Sequence, residues 1–485
     1  MNGRARLLVA LLAFAGVLVT EVGALRMGDP ATADGTRRLL FWYAGAAACF
    51  LLGAWLVRQL PARRSLTAAI AGGALLQVVA VGYSPTSTDD FWRYLWDGKV
   101  QAAGYDPYHY APLDPALAHL RDAEIFPPDP RTPAQAQAAQ ADGRTDACTT
   151  RGEPHDCTLI NRPGVRTIYP PVAEFSFLWL HYLSPGEHRV VALQLAMAAL
   201  AVAVSLALAW ALRRNDRDPR GVVWWTWCPV VWLECGNNAH IDVLGVLLLV
   251  LALAVLTQHQ LSTRRLGAAG ALFGAAIAVK LVPMLIAPVL LFRRGHVVLA
   301  AAVGAFVVGY LPHLLAVGTD VLGYLPGYLE EEGYSGEQRF GAVRLLMPDA
   351  VAPTVAVLIG GAIAAWVIRR AITRTRPVAE DALLLVGAAF VLVGPSQPWY
   401  GLMLVALAVL ADRPEWLAVA AATYPVYEAG NLGVDNSEMQ QRAYLPAALF
   451  VVAVSVLRAS TRRRSTTSRP ADARRIPHRT YSPGP

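Results

Sequence analysis

Thr67-Ala-Ala-Ile-Ala-Gly-Gly-Ala-Leu-Leu-Gln-Val-Val-Ala-Val-Gly-Tyr83 contains no charge and is followed closely by Ser87-Thr-Asp-Asp-Phe-Trp-Arg-Tyr-Leu-Trp-Asp97. An uncharged apolar run of this kind reads as a helix across a ~30 Å hydrocarbon core. The acidic, aromatic stretch behind it is then delivered to a membrane edge. Working outward, the same alternation recurs along all 485 residues, which are 55% hydrophobic and only 16% charged. Soluble domains carry about a quarter charged residues, and the mean hydropathy of +0.39 agrees with a membrane protein. The expected class is all-α and polytopic.

Arginine sets the topology. Arg213, Arg214, Arg217 and Arg220, then Arg264 with Arg265, Arg293 with Arg294, Arg369 to Arg376, and Arg458 to Arg464 recur between apolar runs. Such clusters mark cytoplasmic loops, so each successive pair must enclose an even number of crossings. The spans that satisfy this are 7–25, 39–57, 67–83, 188–212, 221–235, 240–257, 266–281, 283–292, 297–315, 350–368, 380–394, 400–411, 414–427 and 443–458. Several fall short of a full crossing, so about 12–14 membrane segments are expected. The first run follows Arg4 and Arg6 and reads as a transmembrane helix or signal anchor. Residues 1–461 form one transmembrane domain with an outer loop at 84–169. Residues 462–485, rich in Arg, Ser, Thr and Pro, form a basic cytoplasmic tail expected to be disordered. Arg26, Arg37 and Arg38 fall on the outer side in this scheme.

The net charge of +7 is thus a topology signal and not a nucleic-acid patch. Cys49, Cys228 and Cys235 lie in apolar runs and suit packing as small hydrophobes. Cys148 and Cys157 share the outer loop, where a bridge or two free thiols both fit. There is no Gly-rich phosphate loop, dinucleotide fingerprint, zinc motif or haem motif.

Against that topology, Asp89, Asp90, His240, Asp242, Lys280, Arg339, Gln397 and Glu428 gather at one set of membrane edges. A short helix begun by Asp90 brings Arg93, Tyr94 and Asp97 to one face. A carboxylate there suits a general base toward a hydroxyl; a helix cap by Thr88, Asp89 or Asp90 is the plain alternative. In Glu234-Cys-Gly-Asn-Asn-Ala-His-Ile-Asp242, His240 and Asp242 suit orientation of a hydroxyl or phosphate, or a self-satisfied polar turn. Ionisable groups at membrane depth usually have functional partners. Lys280, followed by Pro283, either snorkels or neutralises an anion. Gln397, Trp399 and Tyr400 stand at a helix break, as interfacial belt residues or as a platform for a sugar ring. The charges between Tyr324 and Arg344 read mostly as solvated. No complete metal-ligand set is visible, so no metal and no cofactor are expected, with a divalent cation on the adjacent Asp89 and Asp90 as the alternative.

Taken together, Thr88-Asp-Asp-Phe-Trp-Arg-Tyr-Leu-Trp-Asp-Gly98, Gly104-Tyr-Asp-Pro-Tyr108, Ile168-Tyr-Pro-Pro171, Asn238-Ala-His-Ile-Asp242, Val279-Lys-Leu-Val-Pro283 and Gln397-Pro-Trp-Tyr400 resemble C-type (GT-C fold) membrane glycosyltransferases. Actinobacterial polyprenol-phosphate-mannose-dependent mannosyltransferases, including glycosyltransferase family 87, are the nearest in pattern, over roughly residues 60 to 430. The resemblance implies an inverting transfer of a hexose, mannose first, from a polyprenyl-phosphate donor. The acceptor would be a glycolipid, glycan or protein at the outer face of the plasma membrane. In that family an aspartate four residues before a tyrosine is the base; Asp90 and Tyr94 stand in this relation, with Asp89 as neighbour. Lys280, Arg339 and Arg93 are the candidates for phosphate, and Tyr94, His240, Asp242, Gln397, Trp399 and Tyr400 for donor or acceptor. Two rivals are a lipid-linked sugar flippase and arabinosyl or glucosyl transfer by the same fold.

Overall fold

The computed structural model describes residues 3–28, 30, 32–127, 157–184, 186, 189–257, 262–292, 294–331, 339–373 and 377–467. They form an all-α bundle with no strand among them. Seven helices are long and apolar enough to cross a membrane: Ala5–Leu25, Ala33–Val57, Ala62–Val81, Arg189–Arg214, Gly295–Leu322, Ala352–Thr373 and Asn436–Thr461. The other expected segments are all helical but short or broken, as their lengths in the sequence led one to expect.

The breaks have local causes. Pro219 and Pro229 divide one crossing into a 3-10 turn, two short α turns and a π turn, Trp232–Asn237. Proline lacks the N–H a continuous helix needs. Pro283 and Pro288 hold Val282–Leu290 as a 3-10 segment, which at a ~2.0 Å rise spans about 18 Å. Gly401–Ala411 is buried at every residue, as expected of a helix apolar all round, and forms the centre of the bundle.

The two ends of the bundle differ in charge. At one end Arg58 pairs with Asp412 at 3.3 Å, Arg370 with Asp381 at 2.7 Å and Arg458 with Glu415 at 3.2 Å. Arg217 there donates to the Leu410 carbonyl at 2.7 Å. Arg37 and Arg38 open the helix whose far end carries Arg58, so they lie at the opposite end. The last helix runs to Thr467, past the expected start of the tail, because Ser and Arg there continue it at little cost; residues 468–485 lie outside the described residues.

The described part of the loop 84–169 is anchored by helix packing. Asp90–Ala102 is helical and packs on Pro171–Leu183. Gly98 makes the approach possible: a Cβ there would sit 2.3 Å from the Phe177 carbonyl oxygen. Gly98→Ala is therefore expected to cost about 1–3 kcal/mol, read as a lower unfolding midpoint in detergent. Gly267→Ala, where a Cβ meets open space, should not lower it; equal midpoints for both variants would refute the close approach. Cys49, Cys228 and Cys235 are free thiols. Cys157 is disulfide-bonded, whereas Cys148 lies outside the described residues, as do Arg293, Glu332, Arg374 and Arg376.

Candidate active site

The exit of the span Ala62–Val81 is fixed by two asparagines, one ending the π turn and one capping it. Asn237 accepts from the Thr86 hydroxyl at 2.8 Å and donates to the carbonyls of Ala80, Tyr83 and Ser84. Asn238 donates to the Ser87 hydroxyl at 2.7 Å. Gln194 ties the same knot from a third helix, donating to the carbonyls of Tyr83 and Asn237. The backbone that leads into Asp89 and Asp90 is thus held by buried amides whose hydrogen bonds are satisfied there.

Asp89 occupies the cap position of the helix but makes no side-chain cap bond. The Asp90 N–H goes to the Thr88 hydroxyl at 3.2 Å. Both carboxylates turn instead to Asn161, which donates to Asp89 at 2.6 Å and Asp90 at 2.9 Å. Burial, and then the adjacent Asp90 charge, raise the Asp89 carboxyl above its ordinary range.

These carboxylates line a cavity of about 330 Å³ at the end of the bundle opposite the arginine-rich one. Lys280, Arg93, Arg162 and Arg166 also reach its wall, with Tyr169, Tyr328, Trp399 and Tyr427 supplying aromatic faces. Lys280 meets Asp242 at 3.2 Å and lies 5.4 Å from the ring centres of both Tyr169 and Tyr400. A cation so caged is held in place while its free N–H bonds remain available to an anion. Arg162 pairs with Glu331 at 2.5 Å, and Arg166 with Asp320 at 2.7 Å. Two larger cavities, about 610 and 560 Å³, open at the arginine-rich end around Arg217. In the second of them Arg217, Arg413 and Arg458 are ion-paired.

The expected site residues sort clearly. Asp89, Asp90, Arg93, Lys280, Gln397 and Trp399 line the cavity. Asp242 and Tyr400 line an apolar slot next to it, which Lys280 and Trp399 share. Tyr94 is buried beneath, stacked on Phe177 at 4.5 Å. His240 is buried behind Asp90, stacked on Trp399 with ring centres 4.1 Å apart. Arg339 does not line the cavity: it is buried and donates to the Gly394 carbonyl at 3.2 Å, where it holds a turn. Glu428 is likewise buried and accepts from Asn431 at 2.8 Å. Asn161, Arg162 and Arg166, which the sequence reading does not single out, also line the cavity. Their one sequence signal is position, just ahead of Ile168-Tyr-Pro-Pro171.

Arg93 has a second task. Its Nε meets both Asp97 oxygens at 2.9 Å, and one terminal nitrogen donates to the Val165 carbonyl. Glu174 accepts from Thr167 at 2.6 Å and from Gln101 at 2.8 Å, and Tyr108 donates to the Tyr169 carbonyl at 2.6 Å. The Val172 N–H reaches the Ala278 carbonyl at 2.9 Å. These bonds lock the Asp90 helix, the loop 165–171 and the chain before Lys280 into one wall. Among the described residues, no three His, Cys, Asp or Glu converge as a metal site.

No curated protein and no solved structure matches the chain. The model of glycosyltransferase family 87 matches residues 167–395. That stretch holds Tyr169, the π turn, His240, Asp242 and Lys280, and stops just before Gln397. The chain is an all-α, multi-pass membrane protein that is similar, over that stretch, to the membrane glycosyltransferases of family 87.

Proposed function

We propose that the chain is an inverting, GT-C-type glycosyltransferase. It would take a hexose, mannose first, from a polyprenyl-phosphate donor and pass it to a glycolipid, glycan or protein acceptor at the outer face of the plasma membrane. The observation that carries the reading is one cavity in which Asp90 and Lys280 both reach the wall, at the end of the bundle away from the arginine clusters. Clusters of arginine mark the cytoplasmic side, which supports an outward-facing cavity.

In this reading the acceptor hydroxyl gives its proton to Asp90 as its oxygen bonds to the anomeric carbon. The bond from that carbon to the phosphate oxygen breaks, and the phosphate leaves with the bonding pair. Lys280 meets the charge that develops there, in a site walled by protein. Trp399 and Tyr427 offer ring faces to the sugar. The slot between Gly245, Pro283 and Met403, continuous with Lys280, suits the first carbons of the lipid chain.

The test is transfer by purified protein in nanodiscs, with radiolabelled polyprenyl-phosphate mannose, glucose and arabinose in parallel, to total membrane lipid and protein. Transfer from the mannose donor is expected. Transfer from glucose or arabinose alone would replace the sugar. No transfer, with a lipid-linked sugar crossing the bilayer instead, would replace the enzyme by a flippase. Lys280→Met is expected to lower kcat on the order of 10²-fold. Because it strands the Asp242 carboxylate, Lys280→Met/Asp242→Asn should regain thermal stability without regaining rate. Recovery of rate by the double variant would make Lys280 a counterion only.

A further inference from the structure

Behind Asp90 lies a buried line of groups that the transfer step above leaves unused. Glu234 and His240 are fully buried. His240 Nδ1 is 3.0 Å from a Glu234 carboxylate oxygen, and Nε2 is 4.0 Å from Asp90. Glu234 in turn accepts from the Tyr424 hydroxyl at 2.7 Å and from Asn238 at 3.2 Å. Neither ring nitrogen of His240 makes a hydrogen bond of good geometry to any described group.

The chain is shaped to bring these groups together. The π turn Trp232–Asn237 widens the helix at Glu234, as π turns at functional sites often do. Ala239 then takes a left-handed φ of 56°, costly for a residue with a Cβ. The result folds His240 back so that its N–H bonds the Glu234 carbonyl at 2.9 Å. Stacking on Trp399 limits rotation of the ring. Glu234 already accepts from Tyr424 and Asn238 and is the acceptor that faces Nδ1, so His240 carries its proton on Nδ1 and turns the Nε2 lone pair toward Asp90.

We propose that His240, oriented by Glu234, is the proton store for Asp90. The inference rests on the glycosyl-transfer reading. The proton that Asp90 takes from the acceptor hydroxyl passes to His240 Nε2, which becomes an imidazolium held against Glu234. The acceptor oxygen keeps its electron pair in the new bond to the anomeric carbon, and the phosphate departs with the old one. After product release the proton returns through Asp90 to water in the cavity. The present 4.0 Å gap is about 1 Å beyond a hydrogen bond, a looseness ordinary in sites without substrate. His240 is therefore a positioning residue that acts through Asp90.

Two measurements test this. Nitrogen NMR of histidine-labelled protein in nanodiscs, with the signal assigned by its loss in His240→Gln, reads the tautomer. Nδ1–H is expected, and an Nε2–H tautomer would overturn the proposal whatever the activity. In the transfer assay, His240→Gln should lose about 10²-fold in kcat with donor KM within twofold. Glu234→Gln, which keeps the shape, should lose about tenfold and guards against misfolding of the first variant. A kcat within threefold of wild type in both, or a loss lying wholly in KM, would overturn it. Absence of transfer by the wild type would overturn the enzyme reading itself, and this inference with it. An active wild type with the wrong tautomer would overturn only the inference.

Discussion

Asp90→Asn is expected to lower kcat by roughly 10²- to 10⁴-fold, the range over which a positioned base acts, with little change in stability. The reasoning is structural. An asparagine keeps an oxygen for the Asn161 amide, which donates to Asp90 at 2.9 Å, and leaves the Thr88 contact to the backbone N–H untouched. Only the ability to take a proton is lost. Asp89→Asn is the paired control. Asp90, not Asp89, is the carboxylate that faces His240, so the loss at Asp89 should be severalfold at most. A reversed order, with Asp89→Asn silent in transfer and Asp90→Asn active, would move the base one residue upstream. Equal, mild losses would remove both carboxylates from the chemistry.

The second large effect concerns stability. Asp97→Ala is expected to cost about 3–5 kcal/mol, because it leaves the Arg93 guanidinium buried and unmatched. Arg93 is 5% and Asp97 1% exposed, so water cannot take the place of the carboxylate. Replacing the pair together, Arg93→Met/Asp97→Leu, removes both charges and should recover much of that stability. The recovered variant should still lose affinity for donor, since Arg93 also lines the cavity. Unfolding of detergent-solubilised protein in guanidinium reads the first effect. An Asp97→Ala midpoint equal to wild type would mean that the wall formed by residues 90–102 and 165–183 does not rest on this pair.

Much of this arrangement is legible in the sequence. Hydropathy locates the seven long apolar helices among the described residues, and the arginine clusters indicate which polar breaks share an end, so Asp90, Lys280 and Gln397 can be assigned to one face before any fold is known. What escapes is the length of each crossing. Proline at 219, 229, 283 and 288 shortens helices that hydropathy scores as spans. The pairing of Glu234 with His240 also escapes: six residues apart, the two do not share a helix face at α spacing, and only the π turn and the strained Ala239 join them. Arg339 misleads for the opposite reason. Its neighbourhood is charged, but Phe340 takes a left-handed φ of 65° and the arginine turns inward to Gly394. Asn161, Arg162 and Arg166 look like turn residues because Pro163 and Gly164 stand among them, and nothing local tells that the turn faces the carboxylates.

The long helices and the short ones meet the bilayer differently. The apolar windows of Gly295–Leu322 and Ala352–Thr373 are each only 11% buried inside the protein, and that of Asn436–Thr461 17%, so these three face lipid. The site stands on shorter pieces: Asp242 opens a helix of 15 residues, about 22 Å long at 1.5 Å per residue, and Trp399 precedes one that is buried throughout. A thicker or thinner membrane is met by tilt of the lipid-facing helices, at a modest cost per ångström of mismatch. The cavity, carried by the inner helices, is thereby insulated from the lipid composition around it, as an instrument is from its housing.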